Sequence, residues 1–156
     1  MPVKIDTEAA DSNSRLTAIR LVVLTARFME LWRRGTRDTD TVMILIAVAA
    51  ITAERLTRIE LDEEMKALEH SFPSALLAPC NISSIAAATG LNRETARRRV
   101  NAMVKDGSLV RNDKGEVYFP PGLLQQPGTR KLIRKQLEML TRFVNDSIRD
   151  GVLRIG

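Results

Sequence analysis

Between Arg15 and Arg34 the chain has no Pro or Gly, and Leu16, Ile19, Val22, Val23, Ala26 and Met29 recur at helical spacing. Leu21, Leu24, Phe28, Leu31 and Trp32 widen that stripe almost all round the helix, which therefore needs cover on most sides. A single small domain rarely supplies such cover, and a second copy of the chain is its simplest source. Gly35 predicts the stop of this helix, and Asp38 or Asp40 the cap of the next. Val42 to Ile51 is continuously apolar. Its alanines and the Glu54-Arg55 flank predict a buried helix rather than a strand. A third helix is expected over Leu61 to His70, with Glu60, Asp62, Glu63 and Glu64 where the helix dipole favours negative charge, and Phe72-Pro73 ending it. Residues 1–13 are polar and read as a loose tail, with Asn13 or Ser14 as the cap that follows.

Past Pro121-Gly122 and Pro127-Gly128 a last helix is predicted over Thr129 to Arg149. Ile133, Leu137, Leu140, Val144 and Ile148 give it a narrow a/d seam, the pattern of a helix that zips against another. Arg130, Lys131, Arg134, Lys135 and Arg142 occupy the other side. A dimer contact explains that seam, and so does packing on the N-terminal helices of the same subunit.

The segment richest in chemistry is Asn81 to Pro121. Ser83 or Ser84 is expected to cap a short helix over Ile85-Ala86-Ala87-Ala88-Thr89, and Gly90 stands where positive φ is needed to end it. Asn92 caps a second helix, over 92–106, that Gly107 closes, and two helices joined by a Gly-containing tight turn make a helix-turn-helix. On a wheel of 100° per residue, Ala96, Val100, Met103 and Val104 share the inward face. The outward face collects Glu94, Arg98, Asn101 and Lys105, flanked by Thr95 and Arg97. Arginine is the usual bidentate partner of guanine, Glu accepts from cytosine N4, and Asn reads adenine. Arg99 falls near the edge of the inward face, where it is expected to snorkel to phosphate or lay its stem on the hairpin. Leu109-Val110-Arg111, a turn at Asp113 to Gly115, and Glu116-Val117-Tyr118-Phe119 then read as a hairpin over 109–119.

Composition narrows the function. Residues 81–119 carry seven basic and four acidic groups and residues 127–156 seven and three, against four and eight in 37–80. The excess that makes the net charge +5 thus sits in the second half, as a polyanion-binding surface would require. Cys80 and His70 are each the only one of their kind in the 156 residues, so neither a disulfide nor a Cys/His metal set is expected. Cys80 reads as a small buried hydrophobe rather than a redox sensor. No cofactor, nucleophile–base pair or phosphate-cradling Gly loop is expected either, which argues against an enzyme. With no signal-peptide pattern at the N-terminus and no uncharged stretch beyond the 13 residues Thr41–Ala53, a cytoplasmic protein without a membrane partner is expected.

The run Asn92-Arg93-Glu94-Thr95-Ala96-Arg97-Arg98 closely resembles the recognition-helix motif of the catabolite-activator family, and Ile85 to Gly115 resembles the DNA-reading module of bacterial winged-helix transcription factors. The resemblance implies that Arg93, Glu94 and Arg98 read base edges and that Thr95 touches phosphate. The overall plan is similar to the MarR family: N-terminal helices, a winged helix, then a C-terminal dimerisation helix. The sequence departs from the first family in having no β-roll and from the second in lacking an Asp-x-Arg wing. The expected fold is mainly α with a small β-hairpin wing. Its regions are a flexible tail (1–13), a helical dimerisation region (14–79), a winged helix-turn-helix (80–122) and a C-terminal dimerisation helix (123–156). The expected function is that of a homodimeric, sequence-specific transcription regulator on double-stranded DNA, with an unknown small-molecule effector left open. Thr95, Arg97, Asn101, Arg111 and Lys114 are the expected backbone or wing contacts. Phe28, Met29, Trp32 and Met43 read as packing residues before they read as a ligand pocket. The alternatives are a winged-helix interaction module without DNA binding and a non-specific nucleic-acid-binding protein.

Overall fold

The computed structural model describes residues 1–33 and 38–156. It is mainly helical, with two small antiparallel two-stranded sheets. The chain divides into two compact units, one of Met1–Arg34 with Lys131–Gly156 and one of Gly35–Arg130. No helix among the described residues is long and apolar enough to cross a membrane.

The first unit joins the two ends of the chain. Strand β1 (Val3–Ile5) pairs antiparallel with β4 (Leu153–Ile155), Lys4 standing opposite Arg154. Helix α1 (Thr7–Ser12) follows, capped by the Asp6 carboxylate, which accepts from Ala9 N–H at 3.0 Å. The expectation of a loose tail over 1–13 is therefore corrected. Val3 and Ile5 alternate with Lys4 as strand residues do, but their partner lies some 150 positions away. Helix α2 (Ser14–Arg33) starts at once: Asn13 is the C-cap of α1, and its carbonyl accepts from Thr17 N–H at 2.9 Å as α2 begins. Gly35, expected to stop α2, lies outside the described residues. Helix α6 (Pro127–Arg149) enters this unit from Lys131 onward.

The second unit is built on α3 (Thr39–Ala53), α4 (Ile82–Thr89) and α5 (Arg93–Lys105). Asp38 caps α3, accepting from Thr41 N–H at 3.1 Å. Val42, Ile44, Leu45, Ala47 and Val48 are buried, so the continuous apolar run is a core helix. Ile44, Leu45 and Val48 meet Ile85 of α4, Val100 and Met103 of α5, and Leu109 and Val117 beyond it in one cluster. A boundary at residue 79 cuts through this packing, because α3 buries its apolar side chains against the two helices that follow it. β2 (Val110–Arg111) pairs with β3 (Val117–Tyr118), and Cys80 bridges to Val117 on its other edge through bonds of 2.8 and 2.7 Å.

Residues 61–70 do not form the expected helix. Between the 3-10 turns at Glu54–Arg58 and Ser74–Leu76 they make a series of turns held by bonds such as Lys66 N–H to Asp62 O at 3.1 Å. Leu61, Met65 and Leu68 are only half-buried. Without a buried stripe to dock, a segment this short does not recover its nucleation cost.

Candidate nucleic-acid interface

Local chemistry sets α4 and α5 in place. Asn81, and not Ser83 or Ser84, caps α4, its side chain accepting from Ser84 N–H at 2.8 Å. Gly90 ends α4 at φ +70°, a conformation that a side chain at this turn would strain. Asn92 then caps α5, accepting from Glu94 N–H at 2.8 Å. Ala96, Val100 and Met103 are buried and Val104 is half-buried, so the inward face lies as the wheel places it.

The outward face is exposed at Arg93, Glu94, Arg97, Arg98 and Lys105, with Thr95 and Asn101 half-buried at its flanks. Its charges are not equivalent. Arg97 grips Glu94 through two bonds, Nε to Oε2 at 2.9 Å and Nη2 to Oε1 at 2.5 Å. The Arg97 hydrogen bond holds the Glu94 carboxyl below the usual glutamate range, so Glu94 stands as an ionised acceptor. Arg93 and Arg98 have no ion-pair or hydrogen-bond partner for their side chains among the described residues. Their guanidinium groups are free to donate, and on a solvated helix face that leaves two forks able to meet phosphate or a guanine edge.

Asn101 and Arg111 were expected as separate contacts, and the structure joins them. Arg111 Nη2 donates to Asn101 Oδ1 at 2.6 Å, tying the hairpin to α5. The hairpin turn is organised by Asn112, whose Oδ1 accepts from the backbone N–H of Lys114 and of Glu116, both at 3.0 Å. Gly115 supplies φ +79°. The Lys114 ammonium at this tip is exposed and has no ion-pair partner among the described residues. Asn112 was not among the expected residues, although an Asn two positions before the partner of an Asx turn is a visible signal.

Arg99 turns away from the exposed face of α5 and from the hairpin. Its Nη1 meets Asp38 Oδ2 at 2.8 Å and its Nη2 meets Asp40 Oδ2 at 3.4 Å, so it fastens α5 to the first turn of α3. Burial opposes ionisation of Asp38, but the Thr41 hydrogen bonds and Arg99 outweigh it and hold that carboxyl below its ordinary value. Cys80 is buried. Its thiol lies 3.8 Å from Val48 O and 3.9 Å from Thr52 Oγ1, and burial pushes its pKa up, away from the reactive thiolate. Among the described residues no group of three or more His, Cys, Asp or Glu is placed to hold a metal ion. Phe28, Met29 and Trp32 belong to one unit and Met43 to the other.

The chain matches no protein-family model, no curated protein and no solved structure.

Proposed function

We propose that this chain is a homodimeric, sequence-specific DNA-binding regulator of transcription, not an enzyme, acting in the cytoplasm through a winged helix-turn-helix. In this reading α5 enters the major groove, with Arg93, Glu94 and Arg98 at base edges and Thr95 and Arg97 toward phosphate. The hairpin 109–119 serves as the wing, Lys114 meeting the backbone or minor groove, while the Arg111–Asn101 bond holds it against α5. Two copies read half-sites about 34 Å apart on one side of the duplex.

The observation that carries this reading is the pair of partnerless guanidinium groups, Arg93 and Arg98, on the exposed face of a helix whose other face is sealed into the core. Exposed cations are common on solvated helix faces; what sets this pair apart is its place on the outward face of the second helix of a helix-turn-helix. Here Lys114 stands on the hairpin that is bonded to the same helix.

The test is to mix the purified chain with sheared genomic DNA at near-physiological salt and sequence the retained fragments. An enriched near-palindrome with half-sites one helical turn apart is expected. Uniform recovery of all fragments would replace the reading with non-specific nucleic-acid binding. No recovery by a folded protein would overturn it in favour of an interaction module.

A further inference from the structure

The first unit holds two helices that leave most of their apolar surface bare. None of the 20 residues of α2 is buried, and in α6 only Ser147 is. Arg20 near the start of α2 pairs with Asp146 at 2.7 Å and Asp150 at 2.8 Å, at and just past the end of α6. Arg27, Glu30 and Leu31, further along α2, share a cleft with Lys135, Glu138 and Met139, earlier in α6. The two helices therefore run antiparallel.

That cleft also fixes which flanks of the pair lie together. On α6 the seam toward α2 runs through Met139, Phe143 and Asp146. The seam read from the sequence, Ile133–Leu137–Leu140, is a different one, rotated onto one flank, with Lys135, Glu138 and Arg142 on the other. On α2, Leu24 faces the seam, Leu21 and Val22 lie on one flank, and Arg27 and Glu30 lie on the other. Because the charged flanks meet in one cleft, the apolar flanks share the opposite side. Its charged residues stand at the outer edge, away from the seam: Arg15 and Arg33 about 20° from Val22 on the wheel, and Arg130 about 20° from Leu137. Yet its large side chains stand open to solvent: Leu21 is 46% exposed, Val22 68%, Ile133 39%, Leu137 57% and Leu140 44%.

We propose that a second copy of this chain covers this face, α2 and α6 of one copy docking on α2 and α6 of the other to close a four-helix bundle about a two-fold axis. An isologous contact requires a patch that complements itself. An apolar flank does so by burial alone, whereas the other side carries Arg27, Lys135 and Arg142 together with Glu30 and Glu138, charges that burial would strip of water. The size also fits. Two helices about 30 Å long and about 10 Å wide present a footprint on the order of 600 Å² per copy, near the roughly 800 Å² per partner of a stable interface. The proposal deepens the two-copy reading of function by assigning its surface, and it is tested without DNA.

Sedimentation of the full chain at micromolar concentration should give twice the 17.4 kDa chain mass. A monomer at every concentration, or a species larger than a dimer, would overturn the proposal. Leu137→Glu and Val22→Glu should each weaken dimerisation by about thirtyfold or more, and Glu138→Arg on the charged flank should not. A dimer that survives both apolar-flank variants would reject this face. Should the glutamates impair folding, Val22→Cys and Leu137→Cys treated with a short bis-maleimide should cross-link to a dimer, while Glu138→Cys should not. The reverse pattern would also reject the face. A wild-type dimer that retains no DNA leaves this interface standing and removes the regulator reading. A monomer that binds DNA does the opposite.

Discussion

Three consecutive arginines on α5 have three different situations, decided by what lies within reach of each. Arg97 is spent on Glu94, one turn back; Arg99 is spent on Asp38 and Asp40; Arg98 between them makes no ion pair or hydrogen bond among the described residues, although its charge is felt at Glu94. Arg98→Ala is therefore expected to relax base preference at one position per half-site and to cost about 1–3 kcal/mol of DNA binding. Selection from a randomised duplex pool checks this, and unchanged specificity would remove Arg98 from the reading. Asp38 allows a separate prediction on stability. Its carboxyl titrates below the ordinary aspartate value, so its ionised form stabilises the fold fully above about pH 4, and that contribution is lost as pH falls through the lower native value. Asp38→Ala should cost about 1 kcal/mol at pH 7 through the lost cap of α3. The gap between variant and wild type should narrow at pH 3 in urea titrations, and a gap of equal size at both would show that charge contributes nothing. The outward run was legible because helix periodicity alone sorts it. The Arg99 clamp was not, since its partners lie 59 and 61 positions away and no local pattern links them.

At the scale of elements, the two apolar or acidic stretches between residues 39 and 70 had opposite fates. The run Val42–Ile51 became a core helix because α4 and α5 offer it a surface on which to bury Ile44, Leu45 and Val48. The acidic stretch after it had favourable dipole chemistry but no face to dock, and tertiary burial is what sustains a short helix. Periodicity thus revealed α2, α3, α5 and α6, with α6 beginning two residues earlier than expected, while it missed β1 and β4, whose pairing joins opposite ends of the chain. The membership of α3 in the second unit has a measurable consequence. Ile44→Ala removes a fully buried side chain and should destabilise by about 2–5 kcal/mol. DNA retention should fall with the unfolding of that unit as temperature rises. The sedimenting mass should stay that of the wild type at low temperature, because no residue of the proposed dimer face belongs to that unit. Loss of the dimer in this variant at temperatures where it is folded would mean that α3 contributes to self-association after all.

For the whole molecule, free cations and self-association together set the response to salt in the proposed reading. Among the described residues Arg93, Arg98 and Lys114 have no ion-pair or hydrogen-bond partner for their side chains. A dimer on a duplex would therefore bring about six cations to it, and if each neutralises one phosphate or its equivalent the slope of log affinity against log salt is about −5. Lys114→Ala should reduce the magnitude of that slope by about 2, one contact in each copy, with nearly the same loss on every sequence. This separates it from Arg98→Ala, whose loss is concentrated on the preferred site. Leu137→Glu completes the argument, because it leaves every proposed DNA contact intact and removes only the partner. A monomer reading one half-site should show about half the wild-type slope on the same duplex, and its affinity should no longer depend on the spacing of the two half-sites. Titrations of wild type, Lys114→Ala and Leu137→Glu across a salt series measure all three slopes. A flat wild-type response would show that the basic face of α5 and the hairpin meets no phosphate, whereas an unchanged slope in a monomeric Leu137→Glu would show that one copy makes all the contacts.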